Sequence, residues 1–216
     1  MTTGYSELVS VILATYNSSG FLHRSVSSVL RQTYPHTELI IVDDGSIDNT
    51  FNFLLPVMKE NENIRYLRHS NRGHPLSLNA GIRIADGRYI SLLDADDEYS
   101  EQHIQLRVEH LRETGDDLLH SPATLVGNEE DFLIPDANDI SRMIHINECV
   151  IGGTFFGKKE VFDELRGFAD VYSHDSDFLR RANDKFSVAR FEHPTYIYHR
   201  DNPYSITNSL KQDAKR

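Results

Sequence analysis

Two groups of carboxylates stand directly after predicted strands. Asp43 and Asp44 follow the apolar run 39–42, and residues 94–97, Asp-Ala-Asp-Asp, follow the run 89–93. Ligands of an open α/β sheet bind outside the carboxyl ends of its parallel strands, so we expect both groups to meet at one edge. Two unit charges ~4 Å apart repel by about 4 kcal/mol at an effective dielectric of 20. Mg²⁺ or Mn²⁺, which prefers carboxylates and substrate phosphates, would neutralise such a cluster.

These aspartates also have a simpler explanation. Asp-Gly and Asp-Asp sequences suit the turns between strands and helices, and caps of the helices that follow. For either group alone, this explanation is as good as a functional one. Two groups at matching positions in successive strand–helix units favour function.

The elements that must position these carboxylates alternate along the first two-thirds of the chain. Apolar runs predict strands at 8–13, 39–42, 64–67 and 89–93, and periodic apolar residues predict helices at about 22–30, 48–58, 75–87 and 100–111. The run 39–42 shows no polar alternation, so both of its faces are predicted to be buried. Further along, residues 149–156 are predicted as a strand and 175–183 as a short helix. The pattern indicates an α/β fold, a sheet with helices packed on it.

Composition limits the kind of protein. The 216 residues, of which 39% are hydrophobic and 25% charged, suit one globular domain. A formal net charge of −11 without a basic stripe argues against nucleic acid as the partner. Cys149 is the only cysteine, which excludes an intrachain disulfide and a cysteine-rich zinc site. No run approaches ~18 apolar residues, so we expect no transmembrane segment and a cytoplasmic location, with membrane contact through partners left open.

Five segments, in this order and spacing, closely resemble the family 2 glycosyltransferases of the GT-A fold. They are 10–17 (SVILATYN), 41–46 (IVDDGS), 71–81 (NRG and NAG at its ends), 93–97 (LDADD) and 174–180 (HDSDFLR). The resemblance covers nearly the whole chain. It implies a GT-A, Rossmann-like mixed sheet that is mostly parallel and flanked by helices. The single domain, 1–216, would have a nucleotide-binding half at 1–115 and an acceptor-facing half at 116–216.

The resemblance assigns the first strand ends to the nucleotide. Ala14, Thr15, Tyr16 and Asp44 would hold the base, commonly uridine. Tyr16 would supply a stacking face, and the Asp44 carboxylate would accept the uracil imide hydrogen. Asp43 would support the turn between them.

The next strand end would hold the sugar and the diphosphate. Asp94-Ala95-Asp96 matches the DxD element of the family. By resemblance, Asp94 lies near the ribose or the donor sugar, and Asp96 ligates the Mn²⁺ or Mg²⁺ ion that bridges the diphosphate. Gly153 belongs to a segment that lines the donor sugar in relatives, although a glycine there also permits a bulge.

Asp175 occupies the position of the general base of the family. A helix predicted to start at or just after it would stabilise the ionised carboxylate that a base needs. The resemblance then implies a single in-line displacement that inverts the anomeric carbon. The alternative is structural: Asp175 is an N-cap and Asp177 a first-turn acid.

Several positions depart from the family pattern. Leu78 replaces an arginine that often contacts the diphosphate, and His174 replaces the usual glutamate before the base. Asn202 stands where histidine is common and is a poorer metal ligand. His199 would be a substitute ligand, but a lone histidine is more often structural.

The sequence therefore predicts a glycosyltransferase that uses a UDP-sugar and transfers the sugar to a saccharide, lipid-linked or protein hydroxyl. One alternative is a non-catalytic nucleotide-sugar-binding module, which agrees with the changes at Leu78 and Asn202, but retention of Asp44, Asp96 and Asp175 argues against it. The other is a phosphohydrolase in which the strand-end segment Asp94-Ala95-Asp96 supplies an aspartyl nucleophile. That chemistry usually needs a hydroxyl residue at the position of Glu98, so it ranks lower.

Overall fold

The computed structural model of the chain describes residues 7–136, 142–171 and 173–203. Within these residues the strands are β1 (Val9–Thr15), β2 (Thr37–Asp43), β3 (Ile64–Arg68), β4 (Tyr89–Asp94), β5 (Glu98–Tyr99), β6 (Leu118–His120), β7 (Thr124–Val126), β8 (Leu133–Pro135), β9 (Met143–His145), β10 (Phe156–Lys158), β11 (Val188–Arg190) and β12 (Tyr196–His199). The four strands predicted from apolar runs in the first hundred residues are confirmed as β1 to β4.

The largest sheet has seven strands in the order β11-β6-β10-β4-β1-β2-β3. The pairs β1–β2, β1–β4, β2–β3 and β6–β11 are parallel, whereas β10 runs antiparallel to both β4 and β6. The sheet is therefore mixed and mostly parallel, as the sequence predicts.

The helices are α1 (Leu22–Leu30), α2 (Thr50–Glu60), α3 (His74–Ile84), α4 (His103–Thr114), α5 (Lys159–Glu164) and α6 (His174–Asn183). Pro75 lies in the first turn of α3, where its missing N–H costs nothing. Gly115 ends α4 with a φ of 81°, a conformation that glycine adopts without strain. None of the helices in the described ranges has the length and apolar character needed to cross a membrane.

Apolar side chains cover both faces of the central strands. On β1, Val11 and Leu13 belong to one buried cluster, and Ile12 belongs to a second cluster on the opposite face. The run 39–42 on β2 is divided between the same two clusters, and its four side chains are fully buried. The prediction that this strand is buried on both faces is confirmed.

A second, three-stranded sheet lies in the order β5-β12-β7. β12 runs antiparallel to β5, which directly follows the turn after β4. Residues of β12 therefore lie beside the carboxylates at the end of β4, although they are about a hundred residues further along the chain.

The predicted strand at 149–156 is wrong. Short 3₁₀ turns occupy Ile146–Glu148 and Gly152–Thr154, and β10 begins only at Phe156. A Cβ on Gly152 would lie 2.8 Å from Asp175 Cγ, and one on Gly153 would overlap the Tyr196 ring. The two glycines bring the backbone against side chains of the site, which explains the turn in place of an extended strand.

Candidate active site

The predicted carboxylates meet at one edge of the central sheet. β1 lies between β2 and β4, with Thr15 opposite Asp43 and Ala14 opposite Asp94. Neighbouring strands are ~4.8 Å apart, so the two carboxylate groups are separated by roughly 10 Å across the end of β1.

The end of β1 presents one aromatic ring. Ala14 and Thr15 are buried, but the side chain of Tyr16 is 48% exposed. The backbone N–H of Asn17 donates to Ser46 Oγ at 2.9 Å, which joins the turn after β1 to the turn after β2. The Tyr16 ring therefore extends from a braced turn, a suitable place for a flat base to stack.

Asp43 is fully buried and braces the turn after β2. Its Oδ1 accepts the Ser46 N–H at 2.7 Å, and its Oδ2 accepts the Tyr66 hydroxyl at 2.5 Å. Burial and the contact with Asp43 raise the pKa of Tyr66, so this hydroxyl remains a donor. Asp43 acts on the site through the shape of the turn.

Asp44 is also buried and holds the loop before α3. Its oxygens accept the backbone N–H groups of Arg72 at 2.8 Å and Gly73 at 2.9 Å, and His69 Nδ1 lies 3.2 Å from Oδ1. Each carboxylate oxygen has two lone pairs, so these bonds leave capacity for a further donor. Asp44 thereby also fixes the start of α3 at His74.

Asp94, at the end of β4, has a partner on each oxygen. His74 Nε2 lies 3.1 Å from Oδ1, and the Tyr196 hydroxyl donates to Oδ2 at 3.1 Å. Burial by itself raises the pKa of Asp94, but the hydrogen bond and charge of His74 outweigh it, and the pKa lies below its usual value. Burial likewise lowers the pKa of His74, and the bond and charge of Asp94 more than reverse this. The two groups therefore stabilise each other in their charged forms.

Asp97 lies in the turn between β4 and β5 and is completely buried. It accepts the Tyr196 hydroxyl at 2.7 Å and the His199 N–H at 2.8 Å. Burial, followed by the charges of Asp96 and Asp94, raises the pKa of Asp97 well above its usual value. The ionised form of Asp97 is therefore disfavoured, by its burial and by the neighbouring carboxylates.

Asp96 receives a hydrogen bond from the segment after β12. Asn202 Nδ2 donates to Asp96 Oδ2 at 2.7 Å. That segment is anchored by the ion pair of Arg24 with Asp201, two N–O contacts of 2.9 and 2.7 Å. Burial and the charge of Asp94 raise the pKa of Asp96, and the bond from Asn202 only partly offsets this. Asn202 orients Asp96 through its amide N–H.

These properties fit a divalent cation that a substrate helps to bind. Among the described residues, no three His, Cys, Asp or Glu side chains are arranged to hold a metal ion by themselves. Mg²⁺ and related ions are usually bound through one or two carboxylates together with substrate phosphates. Asp96 is partly exposed and lies beside Asp94 and Asp97, which fits a carboxylate ligand that substrate phosphates would complete.

Asp175 lies in the first turn of α6, with one partner on each oxygen. His174 Nε2 is 2.8 Å from Oδ1, and the Gly152 N–H donates to Oδ2 at 3.2 Å. Ser173, not Asp175, is the N-cap residue, and no side chain caps this helix. The N-cap interpretation of Asp175 is therefore wrong. Asp177 pairs with Arg181 at 2.7 Å.

Gly153 contributes space to the site. A side chain at this position would occupy the volume of the Tyr196 hydroxyl, which is bonded to both Asp94 and Asp97.

Sequence reasoning missed Tyr196 and His74. His74 had a usable signal, because it directly precedes the proline that opens a predicted helix. Tyr196 had none.

Two departures from the family pattern have a structural outcome. Leu78, where arginine is common, is 2% exposed and belongs to the apolar core. His199 Nε2 lies 2.9 Å from Glu98 Oε1, so this histidine braces β12 against β5. The structural explanation of His199 is supported over a role as a substitute metal ligand.

Residues 10–166 match the family model described as glycosyl transferase family 2. The chain belongs to glycosyl transferase family 2. This membership confirms the family predicted from the five segments and removes the phosphohydrolase alternative.

Family 2 relatives include GlyG of Streptococcus pneumoniae, 34% identical over 134 residues, which are 62% of this chain and 42% of that protein. An uncharacterized glycosyltransferase of Rickettsia prowazekii is 30% identical over 222 residues, 95% of this chain and 67% of that protein. The chain thus spans less than half of GlyG and two-thirds of the Rickettsia protein.

Solved structures show the same fold for this family 2 chain. Staphylococcus aureus TarS 1–349 in complex with UDP-GlcNAc superposes with a TM-score of 0.75 at 18% identity, covering 94% of this chain and 60% of that one. The mannosyltransferase PcManGT from Pyrobaculum calidifontis, in complex with GDP-Man and Mn²⁺, gives 0.70 at 19% identity, covering 89% and 57%. The GT-A fold is confirmed.

Proposed function

We propose that the chain transfers a sugar from a UDP-sugar to a hydroxyl acceptor with inversion, with Asp175 as general base and a divalent cation at Asp96. One observation carries this proposal. In this family 2 chain, Asp175 contacts His174, and the His174 ring lies 5.5 Å from the ring of His74, which contacts Asp94. The base and the donor-side carboxylates therefore border one space.

The nucleotide end of the site supports a uridine donor. Tyr16 offers a half-exposed ring, and Asp44 presents acceptor oxygens at the end of the neighbouring strand. A flat base on the ring would bring an imide N–H toward a carboxylate acceptor. TarS, which shares the fold, was solved with UDP and with UDP-GlcNAc.

The diphosphate would lie at the end of β4. Asp96 would ligate the cation, with Asn202 fixing the carboxylate orientation. When bound, Mn²⁺ or Mg²⁺ supplies Lewis-acid stabilisation of the charge on the departing nucleoside diphosphate. Asp94, held by His74 and Tyr196, would accept hydrogen bonds from the ribose or the sugar.

The chemical step assigned to this chain is a proton transfer. The acceptor hydroxyl gives its proton to the Asp175 carboxylate while its oxygen forms a bond to the anomeric carbon. The bond from that carbon to the diphosphate oxygen breaks on the opposite side, and the nucleoside diphosphate leaves with the electron pair. The Gly152 N–H and His174 keep the carboxylate oriented during this transfer.

Asp175→Asn tests the base. Release of UDP from UDP-glucose, UDP-galactose and UDP-GlcNAc would be followed with Mn²⁺, with water and with p-nitrophenyl glycosides as hydroxyl acceptors. We expect kcat to fall by about 10²- to 10⁴-fold, because the amide cannot take a proton, while UDP affinity is unchanged. Asp177→Asn is the matched control, since Asp177 shares the first turn of α6 but pairs with arginines.

Unchanged turnover by Asp175→Asn would refute the general-base assignment. A wild-type chain that binds UDP but releases none from any of the three donors would favour the non-catalytic nucleotide-sugar-binding module. Loss of UDP binding in Asp175→Asn would place this carboxylate in donor binding.

A further inference from the structure

Two histidines hold the two carboxylates that border the reacting space. His74 Nε2 contacts Asp94 Oδ1 at 3.1 Å, and His174 Nε2 contacts Asp175 Oδ1 at 2.8 Å. In each case a different donor binds the second oxygen: the Tyr196 hydroxyl for Asp94, and a backbone N–H for Asp175. Both carboxylates are therefore fixed in orientation, each by one imidazole and one further bond.

The two imidazoles also contact each other. Their ring centroids are 5.5 Å apart with an interplanar angle of 52°. The Phe168 ring packs edge-on against His174 at 5.7 Å, which restricts rotation of that imidazole. Both rings are largely buried, with side-chain exposures of 26% for His74 and 18% for His174.

The contacts join two separate helices. His74 is the first residue of α3 and His174 the first residue of α6. The resulting series of contacts runs from Asp94 through the two rings to Asp175. Without it, each carboxylate would keep its second partner, the Tyr196 hydroxyl or the Gly152 N–H, but this series of contacts between the two carboxylates would be broken.

We propose that His74 and His174 form a pair of positioning residues that sets the separation and orientation of Asp94 and Asp175. This inference rests on the proposed glycosyl transfer, in which the donor sugar lies at Asp94 and the acceptor hydroxyl at Asp175. Neither histidine needs to touch substrate for this role.

Four substitutions test, one at a time, the contact of each histidine with its carboxylate and its contact with the other ring. His174→Gln keeps an N–H donor for Asp175 and removes the ring, whereas His174→Phe keeps a ring and removes the donor. His74→Gln and His74→Phe do the same for Asp94. His36→Phe is the control, because His36 is exposed just before β2 at the opposite edge of the sheet.

The full chain would be assayed for kcat and KM with UDP-glucose, UDP-galactose and UDP-GlcNAc and Mn²⁺, together with its thermal stability. We expect His174→Phe to lower kcat by about 10- to 100-fold with a donor KM within about 3-fold of wild type, because a base displaced by ~1 Å loses up to about 10² in rate. His174→Gln should retain more kcat than His174→Phe. Combining His74→Gln with His174→Gln should cost less than the product of the single effects, since either change already breaks the ring contact.

Full kcat in His174→Phe would overturn the proposal. So would equal losses in the Gln and Phe variants that track their thermal stability, because that pattern marks a purely structural role. A wild-type chain without turnover, or an active Asp175→Asn, would overturn the proposed function and this inference with it. Activity that depends on Asp175 but tolerates all four histidine changes would refute the positioning role alone.

Discussion

Gly152 has no side chain, and this allows its backbone N–H to approach the Asp175 carboxylate. Its backbone N–H donates to Asp175 Oδ2 at 3.2 Å, and an added Cβ would lie 2.8 Å from Asp175 Cγ. Contacts this short do not occur between real side-chain carbons, so a methyl group would push the carboxylate or the backbone aside. The glycine matters for the space it leaves.

Gly152→Ala should therefore lower kcat by about 10- to 100-fold and leave UDP affinity within about 2-fold, because the base is displaced while the nucleotide end is untouched. Steady-state kinetics and UDP titration measure the two quantities. Gly20→Ala is the control, since a Cβ there meets nothing within 4 Å. A Gly152→Ala enzyme with wild-type kcat would show that Asp175 does not depend on this close packing.

At the scale of residues, the sequence predicts site residues that belong to a recognisable local segment, but it does not predict contacts between distant segments. The sequence predicts Asp94 and Asp175 as site residues because each belongs to a short segment with recognisable spacing. Tyr196, which contacts Asp94 across 102 positions, lies in a segment whose sequence carries no sign of that partner. The turns within 149–156 are not predicted for the same reason. Gly152 and Gly153 pack against Asp175 and Tyr196, which lie far away in the sequence.

At the scale of elements, α4 buries two basic side chains. His103 and Arg107 are both fully buried, and the His103 ring stacks on Tyr99 with a centroid distance of 3.7 Å and an angle of 8°. The Arg107 guanidinium donates to Ser121 Oγ at 2.9 Å and lies over the Phe191 ring at 5.0 Å. Burial, followed by the charge of Arg107, lowers the pKa of His103 well below its usual value.

This predicts a pH dependence of stability. Below pH ~6.5 the unfolded chain binds a proton at His103 that the folded chain cannot accept, so stability falls as pH falls, by up to about 1.4 kcal/mol between pH 7.5 and 5.5. His103→Phe keeps a ring against Tyr99 and removes the titrating group. Urea unfolding at both pH values should show a smaller loss in this variant than in wild type. Equal losses would mean that His103 is protonated in the folded state.

The central strands and most helices could be predicted because their signals are local. Runs such as 39–42 are apolar throughout, and the residues that start and stop α3 and α4 are Pro75 and Gly115. The short strands β5, β7 and β12 have two to four residues each, too few for periodicity to appear. Their pairing is determined by long-range contacts.

At the scale of the whole molecule, the three aspartates at the end of β4, Asp94, Asp96 and Asp97, should make donor binding depend on metal, because a divalent cation binds carboxylates together with substrate phosphates. We expect UDP with Mn²⁺ to raise the midpoint of thermal unfolding more than UDP alone, and more than GDP, dTDP or CDP with Mn²⁺. Ligand at about 100 times its dissociation constant stabilises the folded state by ~2.7 kcal/mol. Asp96→Asn should retain the shift with UDP alone and lose the additional shift with Mn²⁺.

The absence of a shift with any nucleotide would contradict the donor class while leaving the GT-A fold in place. An equal shift with UDP in the presence of EDTA would contradict the role of Asp96 in metal binding.

The wide sequence separation of the site residues sets an order of assembly during synthesis. The sheet β3-β2-β1-β4 is complete once residue 94 has left the ribosome, but Tyr196, His199 and Asn202 follow about a hundred positions later. At 5–20 residues per second this delay is roughly 5–20 s. We expect Asp94, Asp96 and Asp97 to remain solvated during that interval. The segment that contacts them is then added after strands β1 to β4 have been synthesised.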